Sequence, residues 1–277
     1  MTKTWLITGA SRGLGRALAE AVLAAGDHLV ATARDPRALE DLAARHGDAV
    51  RLAALDVSNP VAAERAVALA VSAFGRLDVV VNNAGYGDVG PVEDTSLEDF
   101  RRQIETNLFG TIIVTKAAIP QMREQRSGHV IQLSSVGGRI GAPGRAPYSA
   151  AKWGVEGFSE SLALEMALVS VKVTIVEPGG FRTDFAGAST TLSAGRAEYD
   201  AVVGATARRQ AAYDGTQPGD PARAAQAILT IAAMDEPPLR IALGSDAVAI
   251  IRDTDTRRLA ELERWRDLSV STDFPAQ

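Results

Sequence analysis

Trp5-Leu6-Ile7-Thr8, then Gly9-Ala10-Ser11-Arg12-Gly13-Leu14-Gly15, then Arg16 to Ala25, reads as a strand, a glycine-rich turn and a helix. The apolar run is short and sits against a turn signal, as a buried strand does. Glycines spaced GxxxGxG let the backbone turn tightly and come close to a pyrophosphate. The helix that follows offers free N–H groups and the positive end of its dipole to that group. A glycine-rich loop alone also describes a plain turn. Here the flanking strand and helix favour the nucleotide reading, with Gly9, Ser11, Arg12, Gly13, Leu14 and Gly15 as candidate contacts.

The pattern repeats outward. A second strand, Leu29 to Ala33, runs into Arg34-Asp35-Pro36, where Asp35 as N-cap and Pro36 in the first turn start a helix. A carboxylate that binds a ribose 2′-hydroxyl belongs at the strand end, where Ala33 stands; Arg34 and Arg12 suit a 2′-phosphate instead. Further strands are predicted at 50–55, ending at Asp56-Val57, and at 77–81, ending at Asn82-Asn83-Ala84-Gly85. An Asx turn also accounts for Asn82. Strand and helix alternate, so the expected fold is α/β: a Rossmann-type, doubly wound parallel sheet of about seven strands with helices on both faces. One domain is expected over 1–277.

The chemistry concentrates later. A helix is predicted from Leu97 to Arg126, weakened by Asn107 and Gly110, which suggests a kink or a tolerated surface Asn. The strand Val130 to Leu133 leads through Ser134-Ser135 and a Gly/Pro-rich loop to a helix carrying Tyr148 and Lys152, with Pro147 in its first turn. Four residues apart on a helix, Tyr148 and Lys152 share a face about 6 Å apart along the axis. An ammonium beside a phenol is expected to lower the phenol's pKa, so that it exchanges a proton with a substrate oxygen. Ser135, at the strand end, reaches the same oxygen. On that helix Val155, Ser159 and Met166 follow the catalytic face. The opposite face carries Ala150, Trp153, Gly157, Ser161, Leu164 and Leu168, apolar enough to need cover of its own.

A strand at 171–176 ends in Glu177-Pro178-Gly179-Gly180-Phe181-Arg182-Thr183. Residues 184–218 lose strand signals and are too long for a bare loop, so short helices forming a lid are expected. Asp220-Pro221 starts another helix, 239–243 is the last strand, and 257–268 is a charged amphipathic tail helix. The three histidines, His28, His46 and His129, read as surface residues with no metal role.

Composition sets the outer limits. The 277 residues are 46% hydrophobic and 23% charged, as in a globular protein. A net charge of −5 with scattered basic residues argues against nucleic acid or an anionic membrane as partner. Zero cysteine excludes disulfides, thiolate nucleophiles and Cys-ligated metals. With the first strand at the N-terminus and no long apolar run, neither a signal peptide nor a membrane span is expected, and the expected compartment is the cytoplasm.

Together Thr8-Gly9-x-x-x-Gly13-x-Gly15, Asp56, Asn82-Asn83-Ala84-Gly85, Asn107, Ser135, Tyr148-x-x-x-Lys152 and Pro178-Gly179 with Thr183 resemble the short-chain dehydrogenase/reductase family, in its compact NADP-preferring branch. The resemblance covers nearly the whole chain, from Thr8 to about Leu243. It implies hydride transfer between NADP(H) and a ketone or secondary alcohol, with Tyr148 as general acid/base. Ser135 would polarise the oxygen, Lys152 would hold the nicotinamide ribose and depress the phenol's pKa, and Asn107 would place a water behind Lys152. It further implies that Asp56 contacts the adenine, that Asn83 supports the strand ends and that Thr183 meets the carboxamide, with Val57, Ala84, Gly85, Pro178 and Gly179 also binding the cofactor. A homodimer or homotetramer built on the helices bearing Asn107 and Tyr148 is expected. A non-catalytic NADP-binding regulator on the same fold, and a sugar epimerase or dehydratase, are the alternatives. The complete Tyr–Lys set and the chain length disfavour them.

Overall fold

The computed structural model describes residues 2–185, 187 and 190–274. Seven parallel strands, β1 (Thr4–Ile7), β2 (His28–Ala33), β3 (Val50–Ala54), β4 (Val79–Asn82), β5 (Gly128–Leu133), β6 (Val171–Pro178) and β7 (Arg240–Leu243), form one sheet in the order β3-β2-β1-β4-β5-β6-β7. The order reverses between β1 and β4, and open α/β sheets bind ligands outside the strand ends at such a point.

Alternation along each strand divides the core into two layers. Trp5, Ile7, Val79, Val81 and Ile131 face α1 (Gly13–Ala24) and α8 (Pro221–Ala233), packing on Leu18, Val22 and Ile228. Leu6, Val80 and Val130 face the other way, onto Ala66 of α3 (Pro60–Phe74), Met122 of α5 (Gly110–Gln125) and Leu162 of α6 (Ala146–Ala167). The predicted helix starts hold. Asp35 accepts the amide of Arg37 at 3.1 Å, opening a 3₁₀ turn (Pro36–Leu39) that runs into α2 (Glu40–His46). Asp220 accepts the amide of Ala222 at 2.8 Å and opens α8.

The structure revises four readings. The segment from Leu97 is α4 (Leu97–Ile104), one π-helical turn (Glu105–Phe109) and then α5, so the weak spot at Asn107 is a widened turn. Asn82 makes no Asx turn; its buried amide donates to Thr115 Oγ1 at 2.9 Å and to Gln132 Oε1 at 2.8 Å, joining β4, α5 and β5. His129 is not on the surface. It is 3% exposed in β5, where Nε2 donates to Thr174 Oγ1 at 2.9 Å, the threonine hydroxyl itself being given to Pro238 O. Burial, with the charges of Lys172 and Lys3, pushes its pKa down to about 3, so the ring is neutral. The tail helix begins earlier than expected, as α9 (Ser245–Arg264), anchored by buried Ala247 and Thr254; a break at Trp265 separates it from α10 (Arg266–Val270).

The expected lid contains a 3₁₀ turn (Ala197–Tyr199), a π turn (Asp200–Gly204) and α7 (Ala205–Tyr213); its positions 186, 188 and 189 lie outside the described residues. It is fastened down. Thr191 donates its amide to Asp88 Oδ1 at 2.8 Å, Arg196 pairs with Glu93 and Asp94 at 2.8 Å, and Val203 and Ala207 bury Val89. Among the described residues no helix is long and apolar enough to cross a membrane.

Candidate active site

A cleft of about 1560 Å³ runs along the carboxyl ends of the strands. Its first end is built by the loop between β1 and α1. Gly9 and Gly13 adopt φ of +65° and +59°, a region open to glycine and strained for a side chain. Gly15 does not line the cleft. It packs against the Asn83 side chain and the Gly9 carbonyl, leaving no room for a Cβ and bringing α1 close to the sheet. Asn83 Nδ2 donates to Thr8 O at 2.9 Å and Gly9 O at 3.1 Å, and Thr8 Oγ1 accepts the amides of Asn83 and Ala84. The loop that would cradle a pyrophosphate is thus tied to the end of β4.

Ser11, Arg12, Leu14, Arg34, Asp56 and Val57 line the same end. Ala33 is buried at the end of β2, and Arg12 and Arg34 are exposed, with no ion pair between either and a described carboxylate. Asp35 turns away to pair with Arg37 at 2.7 Å. Asp56 is the nearby acid; the hydroxyl and amide of Ser58, helped by the charge of Arg34, hold its pKa low. A tight glycine loop at a helix N-terminus, with no described carboxylate paired to the two arginines beside it, fits a nicotinamide dinucleotide.

At the other end, Tyr148 stands on α6 with its ring clamped between two glycines. A Cβ on Gly87 would sit 2.6 Å from Cδ2, and one on Gly137 would sit 3.0 Å from Cε1. Phe185 tilts over the ring at a centroid separation of 5.7 Å. Ser135, just past β5, accepts the Gly137 amide at 3.0 Å, and its hydroxyl proton is directed to the phenol. Lys152, buried below, donates to Leu133 O at 2.6 Å, with Nζ 5.8 Å from the Tyr148 ring centre.

The electrostatics differ from the sequence expectation. Burial raises the Tyr148 pKa above its ordinary value, opposed by the hydrogen bond from Ser135 and the charge of Arg145; Lys152 is not among the groups that lower it. Lys152 is itself buried, which brings its pKa down to about 8 against the charge of Glu156. The phenol of this chain therefore holds its proton at neutral pH.

Asn107 sits in the π turn, buried and out of the cleft. Its Oδ1 accepts the Tyr86 amide at 3.0 Å and its Nδ2 donates to Tyr86 O at 2.8 Å and Gln103 O at 2.9 Å. It fixes the backbone beside Gly85, which lies against both the Asn107 side chain and Lys152 Nζ. Pro178, Gly179 and Thr183 line the cleft at the end of β6, and Thr183 lies against Gly13 across it. Among the cleft residues that escaped sequence reasoning are Arg145, Phe185 and Asp246. Asp246 accepts the Gly180 amide at 2.7 Å from the first turn of α9. Its helix start carried no capping signal, and the charge of Arg145 was the one visible sign in the loop before Pro147. Among the described residues, no three His, Asp or Glu gather as metal ligands.

Known proteins resemble this chain in sequence and fold. The family model for short chain dehydrogenase matches residues 3–192. The oxidoreductase BOA17 of Botryotinia fuckeliana is 45% identical over 273 residues, covering 98% of this chain and all of that one. A short-chain dehydrogenase from Streptomyces avermitilis superposes with a TM-score of 0.92 at 43% identity, over 99% of this chain and 100% of its own. An alcohol dehydrogenase from Thermococcus sibiricus, solved with 5-hydroxy-NADP, gives 0.72 at 27% identity, over 88% and 96% of the two chains. The chain belongs to the short-chain dehydrogenase/reductase family and is an oxidoreductase of that family.

Proposed function

We propose that this chain transfers a hydride between NADP(H) and a ketone or secondary alcohol, with Tyr148 as general acid/base. The observation that carries the reading is the Tyr148 phenol, protonated and clamped, hydrogen-bonded to Ser135 at one end of a cleft whose other end is a glycine loop. NADPH would supply the hydride. The residues of the chain handle the oxygen. Ser135 accepts the Gly137 amide, and its hydroxyl proton, directed to the phenol in this structure, would turn to a bound carbonyl oxygen and polarise it. As charge grows on the oxygen, Tyr148 gives up its proton, and the hydrogen bond from Ser135 and the charge of Arg145 stabilise the phenolate left behind. Asn107 keeps the 85–86 backbone, which carries Gly87 against the ring, in place.

Cofactor choice rests on Arg34, unpaired at a strand end with no carboxylate at Ala33. The Thermococcus sibiricus alcohol dehydrogenase was solved with a related NADP compound, which supports the same choice. The outer face of α6 supports assembly as a homodimer or homotetramer. Leu164 and Leu168 are 76% and 79% exposed there, and Phe109 is 47% exposed on the neighbouring π turn.

Consumption of NADPH with a panel of ketones tests the reading. Tyr148→Phe should bind NADPH as the parent does and lose about 10²- to 10⁴-fold in turnover. A variant keeping more than roughly a tenth of the rate would show that another group moves the proton.

A further inference from the structure

Arg145 is the N-cap of α6, three residues before Tyr148, and lines the cleft at the reacting end. Its guanidinium carbon lies 5.9 Å from the Tyr148 ring centre, and Nη1 donates to Gly87 O at 3.1 Å. That bond uses one of five N–H donors. No described carboxylate stands within ion-pair distance. Asp88 acts on it through space only, with Oδ1 given to the Thr191 amide at 2.8 Å. Arg145 is half-buried, and that burial lowers its basicity. A half-buried cation with unused donors and no counter-ion among the described residues is an unfavourable thing for a fold to keep. The other arginines near the site differ from it. Arg139 is paired with Glu177 and Asp255, while Arg12 and Arg34 stand in solvent at the nucleotide end.

We propose that Arg145 receives the carboxylate of the substrate, so that the ketone taken by this site is a keto acid. The inference rests on the reductase reading of the same site. The carbonyl oxygen lies at Tyr148 and Ser135, the carboxylate at the free face of the guanidinium, and Val89, Phe181 and Phe185 enclose the carbon body. A planar guanidinium with parallel donors matches a carboxylate in two hydrogen bonds, and desolvation strengthens both.

The test compares each acid with its own ester: levulinate with methyl levulinate, and acetoacetate with ethyl acetoacetate, in the parent, Arg145→Gln and Arg145→Lys. The readout is the acid-to-ester ratio of kcat/KM, which a folding defect or a general loss of activity does not change. The parent should favour the acids, and Arg145→Gln should lower the ratio about 10- to 150-fold, the range of hydrogen bonds to charged groups. Arg145→Lys should keep part of it. A parent that favours the esters, or a ratio unmoved in Arg145→Gln, would overturn the proposal; the second result would mean that Arg145 acts only on Tyr148. Calorimetric titration of levulinate into protein saturated with NADP⁺ separates the two readings. Binding that needs Arg145 while no ketone is turned over would sustain the anion site and remove the reductase reading. Ketone turnover without Arg145-dependent levulinate binding would do the reverse.

Discussion

Two residues show how single side chains set the behaviour of this site and fold. Arg34 follows buried Ala33 at the end of β2 and has no carboxylate partner. A 2′-phosphate there gains a charge-assisted pair worth roughly 1.5–3 kcal/mol, or about 10- to 150-fold in favour of NADPH over NADH. Ala33→Asp with Arg34→Ala should reverse that preference, and Arg34→Ala alone should only blunt it; kcat/KM for the two cofactors decides. His129 makes a prediction about pH. It titrates near 6.5 when unfolded and near 3 in the fold. Between those values the unfolded chain binds the extra proton, so stability falls as pH falls through that window and is unaffected by this group above it. The slope is on the order of 1.4 kcal/mol per pH unit. His129→Gln should flatten it, as read from urea midpoints at about pH 7 and about pH 5. That Tyr148 and Lys152 share a helix face was legible from their spacing, and their pairing as a site only from the other motifs along the chain. Their ionisation was not, because burial outweighs the neighbouring charge and burial depends on which elements cover the ring.

At the level of elements, helix starts marked by Asp-Pro were readable because a capping side chain and a ring that fixes φ act within three residues. The π turn at Asn107 was visible only as weakness. The Asn107 side chain is held by the Tyr86 backbone, 21 residues away, a contact that no local pattern encodes. The start of α9 was hidden for a similar reason, since one buried alanine and one buried threonine hold it in place of an apolar stripe. The two faces of α6 were legible as apolar on both sides, and the structure separates them. Tyr148, Lys152, Val155, Ser159 and Met166 are buried, while Trp153, Leu164 and Leu168 are 45%, 76% and 79% exposed. That outer face predicts self-association. Light scattering at micromolar concentration should give a dimer or tetramer for the parent, and Leu164→Asp with Leu168→Asp should return a particle near 29.1 kDa. A monomeric parent would leave this face without a partner copy.

Across the whole molecule, the site is closed by segments far apart in sequence. Arg139, four residues past Ser135, bonds Glu177 of β6 at 2.9 Å and Asp255 of α9 at 2.6 Å. Arg240 of β7 bonds the buried Glu156 of α6 at 3.0 Å. Asp246 of α9 holds the amide of Gly180. A chain stopped after Gly244 should keep the seven-stranded sheet, seen as parental far-ultraviolet circular dichroism after allowance for the missing helix. It should unfold at lower temperature and lose most ketone turnover, because Glu177 and Arg139 then share a buried pair with one carboxylate fewer and the 179–180 loop loses its tether. Turnover equal to the parent would show that α9 is a passive cover. The tie between α9 and the site also has a consequence in time. During synthesis the glycine loop, Ser135, Tyr148 and Lys152 all leave the ribosome before residues 245–264 exist. The growing chain can pair β1 to β6 and set out most of its cleft, yet the loop after β6 stays untethered until the helix is made. Competence arrives as a late event, with α9, and a protease that trims this helix would silence the protein without touching Ser135, Tyr148 or Lys152.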